Sequence, residues 1–154
     1  MDFITKIHYE HQDLSTMLQQ IIQKVHAGHT IHPLWEDWQE KIEECFQAEK
    51  ACIQELCLQT RHEIKKVRFL SDIEAFKTIF SKINDYSLKT IKQIEMLLSQ
   101  LTVLQKKLLI HESECKNTLV QLTSKILDNT QFSELCVKFD DEKDKILLKS
   151  ITYA

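Results

Sequence analysis

Apolar side chains recur in steps of three and four along most of the chain. The longest such line is Leu97, Leu101, Leu104, Leu108, His111, Cys115, Leu119, Leu122 and Ile126, inside a stretch without Gly or Pro. That period keeps one line of side chains on one face of a helix, and a helix with such a face must bury it. The pattern predicts a helix from about Leu88 to Leu127. Its first turns either belong to it or continue the helix before it, with the loop then nearer Ser99. Two stripe positions where Leu would be routine carry His111 and Cys115.

The same period predicts a first helix from about Asp2 to Val25, with Ile4, Ile7, His11, Leu14, Leu18, Ile21 and Val25 on its stripe and Asp2 as N-cap. His8 and Glu10 fall off that stripe and are expected in water. Gly28 and Pro33 then punctuate a link, as a helix stop and start require. A second helix follows from about Leu34 to Lys66, with Trp35, Trp38, Ile42, Cys45, Cys52 and Leu56 on its stripe and Ala48 or Glu49 in the gap. The Trp35/Trp38 pair either closes one end of a bundle or forms an exposed patch; closure is the expectation, since aromatics at helical spacing usually bury.

Ser71-Asp72-Ile73-Glu74 fits a capping box and starts a third helix striped by Ile73, Phe76, Phe80 and Ile83. Asn84-Asp85-Tyr86-Ser87 is the polar break after it, and Asp128-Asn129-Thr130 the break after the long stretch. A last helix, about Phe132 to Ile151, carries Leu135, Cys136, Phe139, Ile146 and Leu147. The charge run 140–145 in its middle reads as a solvated face or a kink between two short helices; it lacks the Gly and alternating oxygens of a calcium loop. The expected fold is all-α: an up-down four-helix bundle over residues 1–128, with an additional C-terminal helix, 129–154, packed on it or extending from it.

Composition narrows the function. Gly and Pro occur once each in 154 residues, which leaves little material for the turns of a β fold. The formal net charge of −3 gives no electrostatic footing on nucleic acid or an anionic membrane. No apolar run approaches the ~20 residues of a membrane span. Met1-Asp2-Phe3-Ile4 lacks a signal peptide's basic start, and five cysteines, an odd number, suit reduced thiols, so the expected setting is cytoplasmic. There is no phosphate loop, Rossmann fingerprint or Gly-rich turn to build an oxyanion site, so no enzyme is expected.

A weak internal repeat runs through the two long helices. Ala48-Glu49-Lys50-Ala51-Cys52 with Leu56 is spaced like His111-Glu112-Ser113-Glu114-Cys115 with Leu119. Two helical hairpins of this length, with His11 on the first helix and His111 on the fourth, resemble the hemerythrin-like (HHE) cation-binding domains. That pattern has a His on the first helix of each half and His-x-x-x-Glu on the second. Aligned through the repeat, Ala48, Ala75, Cys52 and Cys115 stand where it has His, His and carboxylates. The resemblance therefore implies a relative that has lost its di-iron site. The leading expectation is a non-enzymatic bundle that acts through a protein partner or self-association, without a cofactor, through its C-terminal helix and the Trp pair. The alternative is a zinc- or iron-binding sensor or store using His11, Cys52, His111 and Cys115, two imidazoles and two thiols that suit a tetrahedral ion. His26, His29 and His32 in the first link are expected to be solvated.

Overall fold

The computed structural model describes residues 3–61, 73–85, 91–123 and 129–153. Five helices account for them: α1 (Phe3–His26), α2 (His32–Thr60), α3 (Ile73–Asp85), α4 (Ile91–Thr123) and α5 (Asn129–Tyr153). There is no strand among the described residues, and no described helix is long and apolar enough to cross a membrane. The Asp2 cap, Ser71 and Asp72 of the capping box, residues 86–90 and Ile126 to Asp128 lie outside the described residues, as do the side chains of Ile73, Phe132, Ile146 and Leu147.

The link between α1 and α2 shows why the chain spends its one Gly and one Pro there. Gly28 takes φ +77°, and the N–H groups of Gly28 and His29 return to the carbonyls of Val25 and Lys24 at 3.1 and 2.9 Å. This is the Schellman pattern, in which a left-handed residue closes the last turn onto itself. Pro33 then stands in the first turn of α2, where its missing N–H costs nothing. His26, His29 and His32 are all exposed. At its far end α2 stops at Thr60, short of Lys66, because Arg61 turns left-handed at φ 56° and its N–H caps Cys57 and Leu58.

The predicted stripes are the core. His11, Leu14, Leu18, Ile21 and Val25 are buried on α1, and Leu97 through Leu122 on α4. At the start of α1 the buried residue is Phe3, set edge-on to Phe139 of α5 at 6.2 Å, rather than Ile4. α2 buries far more than one stripe, adding Phe46, Ala48, Glu49, Ile53 and Cys57, because it meets α1, α4 and α5 and holds the aromatics of α3. α5 is one helix through the charge run, with no break there. Leu135 and Phe139 are buried while Asp140, Asp141, Asp144 and Lys145 face water. It packs on α2 as extensively as α1 packs on α4, so it belongs to the core.

Trp35 and Trp38 are 3% and 0% exposed, stacked at 5.4 Å and crossed edge-on by Phe80. Each indole N–H has an acceptor: Asn84 Oδ1 at 2.6 Å for Trp35 and the Leu14 carbonyl at 2.8 Å for Trp38. The pair is thus not a surface for a partner; aromatic area and a satisfied N–H both favour burial. Trp38→Ala is expected to lower stability by about 3–5 kcal/mol. Val137→Ala on exposed α5 surface should change it by less than about 0.5 kcal/mol. Urea denaturation followed by helix ellipticity measures both, and equal midpoints would contradict this packing.

Candidate metal centre

Three helices bring one carboxylate and its partners together in the core. α1 supplies His11, α2 supplies Cys45 and Glu49, and α4 supplies His111 and Cys115, all buried. On α2 and α4 the two contributors are four residues apart, so each helix presents a pair one turn apart on the same face. Glu49 is the hub. Its Oε2 accepts from His11 Nε2 at 3.1 Å and its Oε1 from His111 Nε2 at 2.9 Å. The two imidazoles stand edge to face at 5.4 Å. Cys115 is near enough for the Glu49 charge to act on its thiol. The donor atoms of His11, Cys45 and Glu49 lie within 4.8 Å of one another. Phe46 and Phe76 wall the far side of His111, with ring centroids at 4.4 and 5.9 Å.

Burial and charge compete at this hub. Burial pushes the Glu49 carboxyl up, but the charges and hydrogen bonds of His111 and His11 outweigh it and hold the group well below the usual carboxylate range. For His11, burial pushes down. The charge and hydrogen bond of Glu49 outweigh that, with help from Glu112 and Glu10, and raise the imidazole above its ordinary value. The arrangement is therefore a carboxylate clamped by imidazole N–H donors. Burial raises the Cys45 and Cys115 thiols well above their ordinary value, and the nearby Glu49 charge adds to it. Both are neutral thiols at pH 7 until something positive joins them.

Of the candidates read from sequence, His11, His111 and Cys115 meet at this hub. Cys52 does not: its thiol points to the Leu135 carbonyl of α5 at 3.7 Å, and burial pushes it up to about 12. Cys45 and Glu49 stand in its place, three residues earlier than the repeat alignment put the second-helix pair. The signal was present as Cys-x-x-x-Glu on an apolar stripe. The period left Ala48 or Glu49 for the gap in the stripe and, since Glu on a helix is normally solvated, did not decide for Glu49; both are buried. His8 and Glu10 are part-buried and ion-paired rather than simply wet. Compared with known proteins, the chain matches no family model, no curated protein and no solved structure.

Glu49→Leu strands two buried imidazoles and is expected to cost about 3–5 kcal/mol, as for other buried pairs that lose one member. The pH dependence has a definite sign. His11 is raised, so its share of stability is complete below its unfolded value of about 6.5 and fades as pH rises through the folded one. Glu49 is lowered, so its share is complete above about 4.5 and fades on acidification. In chelator, the gap in melting temperature between parent and Glu49→Gln should be widest at about pH 5–6 and narrow on both sides. A gap that is flat from pH 4 to 9 would remove the charged clamp.

Proposed function

We propose that this protein binds a single zinc-class transition-metal ion in its core, held by donors drawn from His11, Cys45, Glu49, His111 and Cys115. The observation that carries this reading is a buried group of three donors, His11, Cys45 and Glu49, within 4.8 Å of one another, with His111 on the other oxygen of Glu49 and Cys115 one turn from His111 on α4. Imidazole and thiolate are the preferred ligands of structural zinc, and helix bundles build metal sites from inward pairs of this kind. The crevice beside His11 has a volume of about 10 Å³, too small for a substrate, which favours sensing, storage or metal-dependent stability over catalysis. Binding requires the thiols and imidazoles to release protons, which makes affinity rise with pH.

The same arrangement supports the hemerythrin-like resemblance better than the repeat alignment does. The order becomes one His on α1, Cys45-x-x-x-Glu49 on α2 and His111-x-x-x-Cys115 on α4, with Phe76 beside His111 in the α3 position. An up-down order of the helices is part of the proposal. Ile4 lines one crevice with Leu119 while His11 meets His111, which supports antiparallel α1 and α4. Phe3 with Phe139 and Glu10 with Lys143 support parallel α1 and α5.

A second reading, partner binding, draws on the outer side of α4, where Ile91, Leu109, Ile110 and Val120 are each more than half exposed. Large apolar side chains grouped on one helix suit a protein partner or self-association.

Protein produced without a His tag in zinc- and iron-supplemented medium should carry about one zinc per chain, and chelator should lower its melting temperature. Cys45→Ser with Cys115→Ser should weaken binding by at least ~10–100-fold, whereas Cys52→Ser should leave it within a factor of two. Metal below one-tenth equivalent, with melting unchanged in chelator, would end the metal reading.

A further inference from the structure

The cluster is closed on two sides by ion pairs that α1 makes next to His11, and the two differ in what they would let through. On the α4 side His8 Nδ1 meets Glu112 Oε1 at 2.9 Å, with the side chains 44% and 20% exposed. On the α5 side Lys143 Nζ meets Glu10 Oε2 at 3.0 Å, and its charge reaches Cys45.

We propose that His8 and Glu112 form a transit site that captures a divalent cation from solvent and passes it to His11; this rests on the metal reading above. A crevice between α1 and α4 is lined by His8 and Glu112 together with His11, walled by Ile7 and Leu119. Its volume is about 10 Å³, room for roughly one water molecule. A hydrated ion does not fit, so it must exchange waters for protein ligands at the mouth. An imidazole and a carboxylate are the groups that do this for a borderline cation. Opening the His8–Glu112 contact frees both at once.

The sequence places the two just outside the resident donors. His8 is three residues before His11 on α1, so one turn separates them, and Glu112 adjoins His111 on α4. Glu112 already acts on His11 through its charge, so a cation between them is favoured along the way. The other side leads to no donor of the cluster. Its groove, about 420 Å³, sets Lys41 and Lys143 among Glu10, Asp13 and Glu44, and no residue of the cluster lines it. One cation, Lys116, stands on the exposed lip of the α4-side crevice, and the capture pair works against its repulsion.

The test is stopped-flow loading of the whole apo protein with zinc chloride against a chromophoric chelator, with equilibrium affinity measured on the same samples. In His8→Gln/Glu112→Gln, which keeps the volume of the mouth and removes its ligand character, loading and release should both slow about 10-fold while Kd stays within twofold. Lys116→Gln, which leaves the pair intact, should load faster than the parent. Parental loading rates in both variants, with the parent binding zinc, would overturn the transit site alone. A Kd that weakens in step with the loading rate would also overturn it, by making the pair part of the resident site. A parent that binds no zinc would overturn this inference together with the metal reading.

Discussion

A carboxylate buried among hydrocarbon must be paired or neutralised, and Glu49 is paired on both oxygens. Removing an isolated carboxylate from water costs far more than any one helix contact returns. The structure meets that demand with imidazoles from two other helices, so α1, α2 and α4 are tied at one level. Any slide of α1 against α4, or rotation of α2, breaks an N–H to carboxylate bond at about 3 Å. Apolar stripes alone tolerate small shifts, since area is not directional. The polar hub is what specifies one register.

The rest of the fold serves that register. The stacked indoles fix α2 against α1 through the Leu14 carbonyl, one turn from His11. Phe46 and Phe76 fill the space beside His111, so its ring has one place to lie. The Schellman turn at Gly28 sets where α2 begins and therefore which of its residues reach the level of His11. α5 covers the remaining side with Leu135 and Phe139, and its Lys143 pairs with Glu10 at the edge of the cluster.

Helix positions and buried faces on α1 and α4 were legible because a 3.6-residue period leaves a strong trace in sequence. His11, His111 and Cys115 were legible as candidates for the same reason: each interrupts an apolar line. Glu49 was legible only as one of two residues that could fill a stripe gap, not as a site residue, because its two imidazole partners come from other helices. Cys45 was read as plain core, since a buried Cys without neighbours is a small hydrophobe. Cys52 looked like a ligand through the repeat, but the face of α2 that bears it turns towards α5. The charge run of the C-terminal helix was legible as a solvated face, which the exposed side of α5 is, and the alternative of a kink there does not occur.

The account turns on whether one ion meets sulfur and nitrogen together in the core. X-ray absorption at the zinc edge of the loaded full-length protein measures this most directly. The account predicts a mixed shell, with sulfur scatterers at about 2.3 Å and nitrogen or oxygen at about 2.0–2.1 Å, and loss of the sulfur contribution in the Cys45→Ser/Cys115→Ser variant. A shell of nitrogen and oxygen alone, unchanged in that variant, would show that the ion does not meet sulfur and contradict the central claim.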